Sequence, residues 1–104
     1  MRDPLQPIQC AEFLKALADP ERLKIVQFLQ TGPKSVGQVC EALGVAIANA
    51  SHHLRLLKSA GLVSRKKQGR FVIYALDPKF LKHNTGDKLD VLDFGCCRLE
   101  LGQK

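Results

Sequence analysis

The sequence predicts a mostly α fold carrying one small β-hairpin, folded as a single unit and expected to pair as a dimer. Three observations carry that expectation. The first sixty residues are cut into short amphipathic segments by Asp19-Pro20, Gly32-Pro33, Gly44 and Gly61. The stretch "RFVIYAL" then alternates apolar residues behind the pair Gln68-Gly69. Finally, all of the excess positive charge falls into one third of the chain. Residues 1–50 hold five basic and five acidic side chains, residues 51–83 hold eight and one, and residues 84–104 hold three and four.

At 104 residues the chain has room for one core, so residues 1–104 are read as one domain. Burying further apolar surface against a second copy would help a chain of this size.

Taken in order, "CAEFLKALA" places Phe13, Leu14 and Leu17 along one side of a first helix. Asp19 and Pro20 then supply an N-cap and a first-turn proline. The second helix sets Leu23, Val26 and Leu29 or Gln30 on a stripe, and Gly32-Pro33 ends it. Ser35 with Gln38 three residues on has capping-box spacing, and Val36, Val39, Cys40 and Leu43 form the stripe of the third helix before Gly44. A fourth helix runs from about Ile47 to Ala60, with Gly61 behind it. Its inward residues are Ala50, His53 or Leu54, Leu57 and Ala60; Asn49, His52, Arg55 and Ser59 face outward.

Two helices joined by a short glycine-containing turn, the second polar and basic on its free face, form a helix-turn-helix over about 35–60. A hairpin over about 62–76 follows, with Lys66, Lys67 and Arg70 crowding its tip. Together these elements make a winged helix. The basic third of the chain is then the electrostatic footprint of a polyanion, with the fourth helix entering the major groove of double-stranded DNA and the hairpin reaching along the backbone.

Asp77-Pro78 restarts a short helix over "PKFLKH", and "NTGD" reads as a loop. The cysteine-containing tail, residues 87–104, fits either a helix through Leu89, Leu92, Cys96 and Leu99 or two strands with a slip at Cys96-Cys97. Gly95 in its middle tilts the reading towards extended structure.

No apolar run approaches the ~18–20 residues of a membrane span, and "MRDPLQPIQC" has no apolar signal region. The expectation is a cytoplasmic protein with no membrane partner, whose four cysteines are thiols and not a disulfide framework. No paired nucleophile and base, phosphate loop or Cys-x-x-Cys motif is present, so no enzyme is expected.

The segments "LKALADPERLKIVQFL", "SVGQVCEALG", "SHHLRLLKSAGLV" and "GRFVIYAL" resemble the ArsR/SmtB family of bacterial winged-helix repressors over roughly residues 10–77. That resemblance implies a homodimer on palindromic operator DNA, released when a metal, metalloid or redox signal reaches a thiol, imidazole or carboxylate site. It maps DNA reading onto Asn49, Ser51, His52 and Arg55, with wing contacts from Arg65, Lys66, Lys67 and Arg70. The chemistry agrees: Arg55 suits a guanine edge, Asn49 an adenine edge, and Ser51 a phosphate or base. His52 is the weaker reader, and His53 is read as a packed core residue.

The chain departs from the family at "VAIANAS", where Ala46, Ile47 and Ala48 replace polar residues at the helix start. Either contact with thymine methyls replaces polar readout there, or phosphates dominate affinity.

The adjacent pair Cys96-Cys97 offers two soft ligands at once, suited to trivalent arsenic or antimony, with zinc or copper as the lesser alternatives. No cofactor is expected to be required. Cys10 or Cys40 is the candidate third ligand, and plain packing of the pair is the competing reading. The family's Cys-x-Cys arsenic motif would fall at Ser35 and Gly37, where no thiol exists, and the cysteine of persulfide-sensing relatives would fall near Gln27. The function expected is a DNA-binding repressor released by a metalloid or metal at thiols. A constitutive regulator without effector and a thiol-redox-switched repressor are the alternatives.

Overall fold

The computed structural model describes residues 7–80, 91–94 and 97–100. Four helices come first: α1 (Pro7–Leu17), α2 (Pro20–Leu29), α3 (Val36–Leu43) and α4 (Ile47–Ser59). A two-residue strand β1 (Lys34–Ser35) precedes α3, and β2 (Val63–Gln68) and β3 (Phe71–Leu76) follow α4. A 3-10 turn at Pro78–Phe80 and two short strands, β4 (Val91–Asp93) and β5 (Arg98–Glu100), complete the described chain.

The helix starts follow the expected chemistry. Asp19 accepts hydrogen bonds from the N–H groups of Glu21 (2.9 Å) and Arg22 (3.1 Å). The Arg22 N–H, and then that of Glu21, hold the Asp19 carboxyl below its ordinary value against opposing desolvation, with smaller help from His53 and the Arg22 guanidinium. Ser35 closes a full capping box with Gln38. Because an N-cap residue is extended, Ser35 (φ −78°, ψ 161°) also pairs with Ile73 of β3. The sequence does not announce this third strand. Ser35→Ala removes one half of the capping box and is expected to destabilise the domain by about 1 kcal/mol, measured as a lowered urea midpoint at unchanged slope.

The end of α4 is a Schellman motif. Gly61 N–H bonds to Lys58 C=O and Leu62 N–H to Leu57 C=O. Gly61 sits at φ +85°, a left-handed conformation that reverses the chain so that β2 starts directly beneath α4. In the three-stranded antiparallel sheet β3 is central, between β1 and β2.

Burial corrects the predicted stripes in two places. On α2 the fully buried residues are Ile25, Val26 and Leu29, with Leu23 only half-buried, because the helix packs against both α3 and α4. On α1 the inward face is Cys10, Phe13 and Leu17, at spacing i, i+3, i+7, and Leu14 is 45% exposed. On α4, Ala50, Leu54 and Leu57 are buried as expected. The hairpin turn is displaced by one residue: Gln68 pairs with Phe71, so Gly69 (φ 61°) and Arg70 form the tip.

The tail is extended. β4 and β5 pair antiparallel with Leu92 opposite Leu99 and Asp93 opposite Arg98, and an Arg98–Asp93 ion pair of 3.5 Å crosses them. Phe94 stacks into a ring cluster with Phe13 of α1 and Phe80, centroids 5.1–5.2 Å apart. Leu92 is fully buried beside it. The tail is thereby docked on α1. The expected continuation of the helix through "LKH", the "NTGD" loop, and Gly95 and Cys96 lie outside the described residues.

Candidate nucleic-acid interface and thiol contact

Recognition of DNA by a helix needs exposed side chains on one face, held at a fixed height by a buried opposite face. In α4 the buried face is Ala50, Leu54 and Leu57, while Asn49, His52 and Arg55 are exposed and Ser51 is half-buried. Between α4 and the hairpin lies an open groove of about 420 Å³ whose lining includes Ser51, Arg55, Lys58 and Arg65, with Tyr74 at its base. Three cations line it, Arg55 and Lys58 from α4 and Arg65 from β2, and among the described residues no carboxylate does.

The register explains why Arg65 belongs there. Strand residues two apart share a face, so Val63, Arg65 and Lys67 point alike. Val63 is buried in the core, and Arg65 and Lys67 continue that face outward, Arg65 into the groove beside α4. Lys66 takes the opposite face of the hairpin, and Arg70 sits at its tip. The structure therefore splits the four wing cations, bringing Arg65 into the groove of α4 while Lys66 lies on the far side. Sequence reasoning passed over Lys58, although Ser51, Arg55 and Lys58 stand at i, i+4 and i+7 and share a helix face.

His53 holds α4 from behind. Arg22 Nη1 lies 3.2 Å from His53 Nδ1, and His53 Nε2 lies 2.9 Å from Glu21 Oε1. A guanidinium can only donate, so Nδ1 accepts and Nε2–H donates to Glu21. The same Arg22 donates through Nε to the carbonyl of Ala16. One arginine thus links the end of α1, the start of α2 and the middle of α4. The sequence reading of His53 as a packed residue agrees with this placement, though the packing is polar.

The cysteines separate into two groups. Cys40 packs half-buried against the core from α3. Cys10 Sγ on α1 lies 3.3 Å from Cys97 Sγ at the start of the last strand segment, a contact bridging 87 residues of sequence. Cys10 takes part in a disulfide, which corrects the expectation that all four cysteines are thiols. Cys96 lies outside the described residues, and among the described residues no group of three or more His, Cys, Asp or Glu side chains could hold a metal ion. No helix among them is long and apolar enough to cross a membrane.

Against this geometry, the sequence profile of the bacterial regulatory proteins of the arsR family matches residues 19–65, the span from the cap of α2 to the first cation of the wing. The transcriptional repressor SdpR of Bacillus subtilis is 32% identical over 81 residues, covering 78% of this chain and 90% of SdpR. The chain belongs to the ArsR family.

A homolog of the cadmium resistance regulatory protein CadC from Staphylococcus aureus is 40% identical to this ArsR-family chain over 77 residues. That match spans 73% of the chain but only 64% of the CadC homolog. Among solved structures, the homodimeric winged helix-turn-helix DNA-binding domain Mb0332 from Mycobacterium bovis superposes with a TM-score of 0.63 at 37% identity, covering 65% of this chain and 63% of that one. These relatives are transcriptional regulators and not enzymes, as the sequence predicted. The winged helix-turn-helix is likewise confirmed.

Proposed function

We propose that this ArsR-family chain is a cytoplasmic, homodimeric repressor that leaves its operator when a trivalent metalloid, arsenic or antimony, binds the thiols of Cys10, Cys96 and Cys97. The observation that carries the switch is the 3.3 Å contact between Cys10 and Cys97. Two thiolates each about 2.3 Å from one soft centre sit roughly 3.4–3.8 Å apart for ordinary bond angles, so once the Cys10 disulfide is reduced to its thiol, this sulfur pair needs little movement to share one. The third donor of the set is Cys96. A bound metalloid would tie α1 to the tail and weaken DNA binding only by favouring the DNA-incompetent arrangement.

Repression itself rests on the cationic groove of Arg55, Lys58 and Arg65 beside the exposed face of α4. Dimerisation is supported by two exposed apolar side chains on α1, Ile8 at 82% and Leu14 at 45% exposure. The Mb0332 domain, itself homodimeric, supports the same arrangement.

A second reading is favoured by the disulfide at Cys10. An oxidant that takes two electrons and two protons from a pair of these thiols would cross-link α1 to another segment and serve as the switch instead. Fluorescence anisotropy of the reduced protein on its own upstream DNA separates the readings. Near-stoichiometric trivalent arsenic should release wild-type protein, while Cys97→Ser and Cys96→Ser bind DNA normally and stay bound. Release by oxidant alone would leave the redox reading, and release by neither would leave a constitutive regulator.

A further inference from the structure

The first two positions of α4 carry no polar reader, and the foremost side chain is Ile47, 64% exposed. Ala46 before it makes no side-chain capping bond, and Ala46, Ala48 and Asn49 are all exposed. Isoleucine at a helix start is neither a cap nor, here, a core residue, since Ile47 makes no part of the hydrophobic cluster. Its surroundings point to one occupant. The same helix presents Arg55 and Lys58 to a groove shared with Arg65. The N–H groups of its first turn receive no bond from the Ala46 side chain, so they stay available to a phosphate oxygen. A protein surface would have to bury those cations; a duplex neutralises them.

Within the major groove the apolar feature a side chain can meet is the 5-methyl group of thymine. We infer that Ile47 is a specificity-determining residue that packs on thymine methyl groups, so that the operator half-site carries thymine opposite the first turn of α4. This inference rests on the repressor function proposed above, with α4 entering the major groove as the sequence leads one to expect. Asn49 and Arg55, further along the helix, supply the hydrogen-bonded contacts. The missing polar cap is then a feature of the reading surface and not a loss of specificity.

The test uses full-length reduced protein. The segment of upstream DNA that it protects is located by footprinting, and each thymine of the half-site is replaced in turn by deoxyuridine, which removes the methyl and keeps the base pair. At one symmetric position the replacement should weaken wild-type binding about three- to tenfold, the scale expected for one or two methyl groups. Ile47→Ala should weaken binding to the native site by a similar factor and show no further loss on the deoxyuridine site. An exposed position makes misfolding of this variant unexpected, and circular dichroism checks it. Equal deoxyuridine losses in wild type and Ile47→Ala, or no sensitive thymine, would overturn the inference while leaving the repressor reading intact. Conversion of Ile47→Ala to a monomer would overturn it by assigning Ile47 to a contact between copies. Absence of any protected DNA would overturn both.

Discussion

Replacing Arg55, Lys58 and Arg65 together by alanine is expected to lower operator affinity by at least about 100-fold while leaving the fold unchanged. All three side chains are exposed and line one groove, so their loss opens no cavity in the core. If Arg55 bonds a base edge, its removal alone costs about 1–3 kcal/mol. Lys58 and Arg65 are expected to act on phosphates. Removing a cation from one phosphate should flatten the slope of log affinity against log salt by about 0.9. Anisotropy titrations at salt concentrations from about 50 to about 200 mM therefore separate the two roles. Lys58→Ala and Arg65→Ala should each make the slope shallower and weaken all DNA sequences alike. Arg55→Ala should chiefly lose the margin between operator and unrelated DNA. Lys66→Ala is the internal control. It is as basic and exposed as Arg65 but lies on the opposite face of β2, so its effect should be the smallest of the group. If Lys66 and Arg65 proved equivalent, the hairpin would not approach DNA along the face that it shares with α4.

That contrast shows where sequence reading stops. Local chemistry is written in the chain: Asp19-Pro20 and Ser35 with Gln38 announce helix starts because capping needs only neighbours three residues away. Gly61 announces the end of α4 for the same reason. The groove is only half legible. Ser51, Arg55 and Lys58 share a helical spacing, yet which wing cation meets them depends on strand register. That register is set by a turn at Gly69-Arg70, one residue beyond the position expected. Successive strand residues point to opposite faces, which is why Lys66 parts from Arg65 and Lys67, while Arg70 falls in the turn. His53 belongs near the core as its helical position implies, but its partners Arg22 and Glu21 stand 31 and 32 residues away in sequence, and no local pattern names them. The Cys10–Cys97 contact is the extreme case, since only tertiary docking brings those sulfurs together. The vicinal cysteines are visible in the sequence; what Cys97 faces is not.

Under the proposed thiol switch, docking of the tail makes Phe13 the residue where stability and switching would meet. Its ring is buried between Phe80 and Phe94, edge-on to the first and tilted against the second. It also lies one turn from Cys10 on the inward face of α1. Phe13→Ala should cost about 3–5 kcal/mol, enough in a domain of this size to lower the melting temperature by at least about 12 °C. A marginally stable domain could lose its fold altogether with that change, so Phe94→Ala is the sharper probe. Phe94 is half-buried and peripheral to the helical core, and its loss should loosen β4 and β5 from α1 at a smaller cost. The groove of α4 would be untouched, because none of its lining residues belongs to this cluster. Operator affinity should therefore stay close to that of wild type. Release by trivalent arsenic should instead require a much higher concentration. A tail detached from α1 no longer presents Cys97 beside Cys10, and the ordering that packing had supplied must then come from the ligand's own binding energy. Normal DNA binding with normal release in Phe94→Ala would mean that the ring cluster does not hold the thiols in place. The switch would then have to work through Cys96 and Cys97 alone or across the dimer.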